Sequence, residues 1–327
     1  MIGTGRWAVG ALACALALAA ADGVRAQTGK MQLALKPITS FWQHLEEGDF
    51  GGPRGVFYDR RHDEVWVADT GNDRVAVFTS DGMPLYSVRP GGEVVQPIRL
   101  VVDPADHLLV LDNDRSRIAE LDWRGRYLGA LALPGLPERP VFCALALDAA
   151  GNLYVGESTQ CQVVVYGPER KVRFRFGSCG DGRGEFRAIS GIAADGERIV
   201  VIDQQATPVQ VFDRHGSWEN GFGSHELTAD SFSLPSAVAI DGQGRIVVID
   251  SLRQEIKFFT PSGRFLDRFG GLGAGPGRVR FPADVAIDGH GRLYVAEQGN
   301  GRVQVLEEVE LPIPDRRARS PRPGGTP

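Results

Sequence analysis

The sequence lacks several features that would assign a function directly. After residue 21 no apolar stretch approaches the roughly 20 residues that a membrane-spanning helix requires. Positive charge is not in excess either, since the net charge is −5, and we therefore expect no nucleic-acid partner. No Gly-x-Ser-x-Gly motif or other nucleophile pattern is present, so we predict no catalytic residue.

The two ends of the chain differ in composition from its body. Arg6 precedes an apolar run from Trp7 to Ala21, and Val24-Arg25-Ala26 places small or apolar residues where signal peptidase needs them for cleavage after Ala26. This pattern predicts a signal peptide over residues 1–26 and export to the periplasm or the extracellular space. Residues 311–327 are rich in Pro and Arg without apolar periodicity, which predicts a disordered tail.

The body is a repeat with a period in the forties. The stretch from Phe232 to Gly270 contains four short apolar runs separated by turn residues, which is typical of a four-stranded antiparallel sheet. Two series of acidic residues mark the ends of the first and second runs of each unit, at spacings of 44 to 47 and 43 to 47 residues. They are Asp59, Asp103, Asp148, Asp195, Asp241 and Asp288 in the first series, and Asp69, Asp112, Glu157, Asp203, Asp250 and Glu297 in the second.

This repeat predicts an all-β fold, a six-bladed β-propeller with four antiparallel strands per blade. The propeller is expected over residues 27–310, with blades at about 50–90, 95–135, 140–177, 186–223, 232–270 and 281–306. The sixth unit has no fourth strand of its own. Residues 33–41 resemble the fourth strand of other blades, so we predict that this N-terminal strand closes blade six and removes an open sheet edge.

The repeats resemble the NHL-repeat family of six-bladed propellers. Blade six follows the family pattern from Phe281-Pro282 through Gly291-Arg-Leu-Tyr-Val-Ala-Glu297 to Gly299-Asn300-Gly-Arg302-Val-Gln-Val305, and blade one matches in Val67-Ala-Asp-Thr-Gly-Asn-Asp-Arg-Val75. Blades two to five are looser. The resemblance implies the propeller fold and an exported bacterial protein, and it leaves function open, because this scaffold carries both binding modules and enzymes.

The acidic residues and histidines bear on metal binding. Short carboxylates at hairpin turns cap main-chain N–H groups, so we interpret both acidic series as structural and predict no metal and no cofactor. The similar peptidyl-hydroxyglycine amidating lyases hold zinc through histidines in the central channel. Here His62, His107, His215 and His290 fall in turns on one rim, whereas His44 and His225 lie in linkers, so no zinc site is expected.

Three cysteines remain after export, and all of them belong to blade three. A pairing of Cys143 with Cys161 is preferred, because the start of a first strand lies beside the end of the second strand. Cys161 with Cys179 is the alternative. One disulfide and one free thiol are expected in an oxidising compartment.

The face formed by the linkers and the turns between second and third strands carries the most varied polar residues, and we predict a binding face there. Its candidates are Arg54, Arg74, Arg99, Asn113, Arg115, Arg117, Asp284, Gln298, Asn300 and Arg302. The preferred function is a monomeric exported scaffold that binds a protein, peptide or glycan. The alternatives are a propeller enzyme, a lyase or lactone hydrolase, with its site at the channel mouth, and a structural domain of an envelope assembly.

Overall fold

The computed structural model describes residues 31–44 and 47–312, with side chains from Leu33 to Trp42 and from Glu47 to Val309. Leu33–Val309 form one compact unit. Of the second unit, Met1–Gln32 and Glu310–Pro327, the structure describes only the ends of two strands. The predicted signal peptide lies outside the described residues, and so does the predicted tail apart from its first two residues, which extend strand Arg302–Pro312.

Six four-stranded antiparallel sheets follow one another along the chain and form the blades. Their strands, in order from first to fourth, are Gly55–Asp59, Glu64–Asp69, Arg74–Thr79 and Pro84–Val88 in blade 1; Pro97–Val102, Leu108–Asp112, Ile118–Leu121 and Tyr127–Ala130 in blade 2; Phe142–Leu147, Leu153–Glu157, Gln162–Tyr166 and Val172–Phe176 in blade 3; Ile189–Ala194, Arg198–Asp203, Val209–Asp213 and Trp218–Phe222 in blade 4; Pro235–Ile240, Ile246–Asp250, Glu255–Phe259 and Phe265–Gly270 in blade 5; Pro282–Ile287, Leu293–Glu297, Arg302–Pro312 and Met31–Phe41 in blade 6.

Short elements complete the described chain. Gln43–His44 pairs with Gly48–Asp49, and Ser178–Cys179 pairs in parallel with Glu185–Phe186. Two 3₁₀ turns occupy Thr70–Asn72 and Gly91–Glu93. No helix of the described residues is long and apolar enough to span a bilayer.

Strand Met31–Phe41 pairs with strand Arg302–Pro312 and completes blade 6, which confirms the predicted ring closure. The Phe41 ring stacks on Phe78 of blade 1 at 4.9 Å, so this N-terminal strand also contacts the first blade. An outer edge strand of this kind tolerates Pro37, because its N–H side need not pair.

The burial of the strands follows their position in the blade. The second strands are buried along their length, as in Ile246–Asp250, except for half-buried Glu64 and Arg198 at the start of two of them, because each strand lies between two neighbouring blades. The fourth strands are less buried, and Val172–Phe176 alternates between half-buried and exposed residues. Aromatic residues fill the gaps between successive blades: Phe176, Phe186 and Phe212 contact one another between blades 3 and 4.

The first strands contact one another in a closed ring around a central channel. The two faces of the ring carry different loops. The linkers between blades and the turns between second and third strands form one face, which we call the linker face. The turns that join the first strand to the second, and the third to the fourth, form the opposite turn face.

Candidate functional site

The central channel is closed near the linker face by the side chain of Arg99. This residue is in the first strand of blade 2, and its Nη2 donates a 2.8 Å hydrogen bond to the carbonyl oxygen of Ser236 in blade 5. Nη1 donates to the Arg54 carbonyl oxygen at 2.8 Å and lies 3.5 Å from the Asp284 carboxylate. The guanidinium therefore joins blades 1, 2, 5 and 6 across the channel.

Small residues in the other blades leave the space for this crossing. The register of the sheets places Arg99 level with Gly55, Ala144, Gly191, Ala237 and Asp284. A Cβ atom at Gly55 would lie 2.8 Å from the carbonyl oxygen of Ile98. One long side chain can span the channel because four of the six equivalent positions carry glycine or alanine.

Between this crossing and the turn face lies a cavity of about 1090 Å³. Aliphatic side chains of the first strands, such as Leu145, Ile192 and Ile240, line its wall, and charged turn residues line its mouth. Asp284 lies at its closed end, where its carboxylate accepts hydrogen bonds from the N–H groups of Val56 and Val285, both at 3.0 Å. Burial raises the pKa of Asp284, and the Arg99 charge opposes this effect.

On the linker side of the crossing the channel mouth is cationic. Arg54 and Arg115 are half-buried, and neither side chain forms a hydrogen bond or ion pair with any described residue. Burial lowers the pKa of Arg54, and the nearby charges of Arg99 and Arg115 lower it further. Asp284 compensates one of these three charges, so the mouth has uncompensated positive charge.

The first acidic series lies on the turn face, where every member accepts hydrogen bonds from main-chain N–H groups of its own turn. Asp288, for example, accepts from His290 at 2.8 Å and from Arg292 at 2.9 Å. The equivalent contacts of the other five are made by Asp59, Asp103, Asp148, Asp195 and Asp241. These are the contacts of turn-capping carboxylates.

The second series ties each turn to the preceding linker in five of the six blades. In blade 1 the Asp69 carboxylate accepts from Gly51 N at 2.7 Å and from Arg74 Nε at 2.6 Å, and in blade 6 Glu297 accepts from Arg280 N at 3.0 Å and from Arg302 Nε at 2.6 Å. Glu157, Asp203 and Asp250 also accept linker N–H groups. Asp112 of blade 2 accepts only from Asp114 N, at 3.1 Å, among the described residues.

Two arginines predicted for the binding face are therefore enclosed. The side chains of Arg74 and Arg302 are 0% and 2% exposed and complete the pairs with Asp69 and Glu297. Sequence reasoning missed this because a basic residue after a turn has the same pattern whether it faces solvent or a buried carboxylate. The acidic residue five positions earlier was the available signal.

The remaining predicted face residues lie in two separate groups. In blade 6, Gln298 is exposed, whereas Asn300 donates to the Gly273 carbonyl oxygen at 2.9 Å and to Glu297. In blade 2, Asn113 is exposed and Arg117 Nη2 donates to the Glu93 carbonyl oxygen at 2.5 Å. Asn113 and Arg117 line a second cavity of about 360 Å³ together with Gly92, Val95, Gln96, Asp112 and Asp114.

The disulfide joins Cys161 and Cys179, and Cys143 is a free, buried thiol. The preferred pairing of Cys143 with Cys161 is therefore wrong, and the alternative is formed. The third and fourth strands of blade 3 pair with Val163 opposite Phe176, which brings the residues that flank them together with a Cα–Cα distance of 5.0 Å. Cys143 packs instead against Gly156, and burial raises the pKa of its thiol to about 11.

One group of residues in the described chain has the spacing of metal ligands: Asp103, His107 and Glu120 on the turn face. His107 Nδ1 lies 2.7 Å from Glu120 Oε1. Asp103 is occupied by the turn N–H groups and by Arg170, whose Nη2 lies 2.5 Å away. The adjacent guanidinium charge disfavours a cation at this place.

The closed ring of six four-stranded blades makes this chain a six-bladed β-propeller. The family model of the NHL repeat matches residues 279–306, which cover the end of a linker, the first two strands of blade 6 and the first part of its third strand. The chain therefore carries an NHL-repeat match in the last blade of a six-bladed propeller. No curated protein matches the chain.

Several solved structures share the fold. A luciferin-regenerating enzyme has a TM-score of 0.61 at 16% identity, over 84% of this chain and 95% of its own. XC5397, a gluconolactonase from Xanthomonas campestris, has a TM-score of 0.60 at 13% identity, over 86% of this chain and 98% of its own. A streptogramin B lyase has a TM-score of 0.57 at 11% identity, over 85% and 98%. At these identities the likeness concerns the fold alone.

Proposed function

We propose that this protein is an exported, non-catalytic propeller that binds a protein, peptide or glycan on its linker face. The observation that carries the proposal is the pair of half-buried arginines at the channel mouth, Arg54 and Arg115, which have no partner among the described residues. The expectation of export rests on the signal-peptide pattern of residues 1–26.

Neighbouring guanidinium groups repel one another, and their partial burial removes water that would screen the repulsion. An anionic group of a ligand would relieve this cost, because guanidinium binds carboxylate and phosphate with two parallel hydrogen bonds. The chain as a whole is acidic, with a net charge of −5, so the mouth is a local cationic site on a surface that otherwise repels anions.

Affinity capture from an envelope extract, with the partner identified and then purified, tests the proposal. We expect Arg54→Gln and Arg115→Gln to weaken capture of the purified partner by about tenfold or more, the size expected for a lost charged hydrogen bond. Arg126→Gln is the matched control, because Arg126 is an exposed arginine that, among the described residues, forms an ion pair only with Asp122 in its own turn. Equal capture by all three variants would reject the linker face as the binding surface.

A propeller enzyme of the lyase or lactone hydrolase type is the second candidate. It is favoured by the carboxylate of Asp284 at the closed end of the 1090 Å³ cavity, where burial raises its pKa toward the range of a general acid. Hydrolysis of a lactone panel by the wild-type protein, abolished by Asp284→Asn with unchanged folding, would favour this candidate over the binding module.

A further inference from the structure

The six carboxylates of the second acidic series allow an internal comparison, because they occupy equivalent positions in one chain. In blades 1 and 6 a buried arginine five residues later fills the space between the turn and the linker. Its Nη atoms also donate to linker carbonyl oxygens, as Arg302 does to Ala274 and Arg278 at 2.9 and 2.7 Å. Blades 1 and 6 therefore show that the space beside the second-series carboxylate accommodates a guanidinium group.

Blade 2 lacks this arrangement although its sequence keeps both residues. Arg117 is five positions after Asp112, but its guanidinium turns outward to Glu93, at 2.5 Å from the carbonyl oxygen and 3.8 Å from the carboxylate. The linker does not supply a donor either, because Gln96 N donates to the Asp73 carboxylate of blade 1 at 2.7 Å. Asp112 therefore has neither the arginine found in blades 1 and 6 nor the linker N–H that its counterparts in the other five blades accept.

The result is a nearly buried carboxylate in the wall of a cavity. Asp112 is 5% exposed and lines the cavity of about 360 Å³, which is near the lower end of the roughly 300–1,000 Å³ typical of ligand pockets. A buried carboxylate with a single hydrogen bond is costly, and a cation of matching geometry would offset this cost. The cavity wall also contains Asp114, which accepts from the Ser116 hydroxyl, and Arg117, whose guanidinium is turned to Glu93. Two carboxylates and one guanidinium therefore line the cavity, which leaves its wall with net negative charge.

We propose that this cavity binds the guanidinium group of an arginine side chain from a partner peptide, in the place that Arg74 and Arg302 occupy in their own blades. We favour guanidinium over a metal ion, because the side chains of the described residues that have the spacing of metal ligands are those of Asp103, His107 and Glu120, outside this cavity. The exposed side chain of Val95 at the cavity suits the aliphatic part of an arginine, and the amides of Gln96 and Asn113 suit a peptide main chain.

The inference rests on the proposed binding function only for the source of the arginine, and small probes test the cavity itself. The probe is Nα-acetyl-arginine N-methylamide, and its uncharged isostere, the citrulline derivative, is the control ligand. Titrations followed by NMR of the ¹⁵N-labelled protein are expected to shift the amide signals of Gln96, Asn113 and Asp114 with the arginine probe alone.

Two variants address the cavity in different ways. Asp112→Asn keeps an acceptor for Asp114 N but removes the negative charge. It should lower the affinity for the arginine probe by about tenfold or more. Gly92→Phe keeps the charge and fills the cavity; a Cβ atom at Gly92 would meet nothing within 4 Å, so the side chain has room. Asp122→Asn, which removes an acidic residue on the turn face of the same blade, should bind as the wild type does.

Equal binding of the arginine and citrulline probes, or unchanged binding by Asp112→Asn and Gly92→Phe, would overturn the inference and indicate that water alone fills the cavity. If the arginine probe does not bind while capture of the purified partner still depends on Arg54, the assignment of the cavity is wrong and the proposed binding function stands. If both fail, the linker face is not a binding face.

Discussion

Arg99 of blade 2 donates a 2.8 Å hydrogen bond to the carbonyl oxygen of Ser236 in blade 5, on the opposite side of the ring. A single side chain thus separates the channel into a cationic mouth on the linker face and a cavity that is closed at the Arg99 end and opens on the turn face. The same guanidinium compensates the charge of Asp284 at the end of that cavity. Closure of the channel and compensation of a buried carboxylate depend on one residue.

Replacement of Arg99 by Met is expected to destabilise the protein by about 3 kcal/mol, because it leaves the Asp284 carboxylate without its counter-charge. Denaturant unfolding measures the loss. The double variant Arg99→Met with Asp284→Asn should recover a large part of it, since no unpaired charge then remains. If the stability loss of the double variant equalled the sum of the two single losses, the proposed coupling of Arg99 and Asp284 would be contradicted.

The same pair predicts a pH dependence. Burial holds the folded-state pKa of Asp284 above its ordinary value of 3.8, so the stability that its protonated form contributes is present below about pH 3.8 and is lost as pH rises through the folded-state pKa. Without the Arg99 charge this pKa is higher still. We expect the stability difference between wild type and Arg99→Met to be small near pH 4 and to grow toward pH 7; a constant difference would contradict this assignment.

Gly55 is expected to tolerate no side chain, because a Cβ atom there would lie 2.8 Å from the Ile98 carbonyl oxygen and 3.3 Å from Arg99 Cα. Gly55→Ala should cost about 1–3 kcal/mol, the range for overpacked sites. Gly289→Ala is the matched control, since a Cβ atom there meets nothing within 4 Å. Thermal unfolding compares the two, and equal midpoints would show that the first strands shift freely.

The periodic features of the sequence predicted the fold well. Two acidic series with one period, with continuous apolar runs between them, predict the blade. Because the sixth unit lacks a fourth strand, residues 33–41, which resemble one, were predicted to complete it. These features depend on local pattern and on the rule that a sheet edge must be paired. They are independent of where any long side chain points.

The site was less predictable because it depends on side-chain direction. Arg74 and Arg99 are both basic residues near the linker face, but one is enclosed by a carboxylate of its own blade and the other crosses the channel. Arg117 keeps the spacing of Arg302 and still turns to Glu93. Which carboxylate an arginine reaches is decided by the linker geometry, and this cannot be read from the spacing.

The buried pair in blade 6 provides a further prediction. Arg302→Leu should destabilise the protein by about 3–5 kcal/mol, because Glu297 is 0% exposed and loses its counter-charge. Arg126→Leu, which removes an exposed pair with Asp122, should change stability by less than about 1 kcal/mol. Urea unfolding of both variants checks the contrast, and a loss of similar size in both would reject the structural role of Arg302.

The disulfide between Cys161 and Cys179 predicts the outcome of thiol counting and of substitution. Alkylation of the denatured protein that lacks residues 1–26 should modify one thiol without reductant and three with it, and peptide mapping should place the free thiol at Cys143. Cys161→Ser and Cys179→Ser should each cost about 3 kcal/mol, as expected for a loop of this length, and the double variant should cost no more than either alone. Cys143→Ala keeps the disulfide and serves as the control. Three thiols modified without reductant, or additive losses in the double variant, would show that the two cysteines act independently.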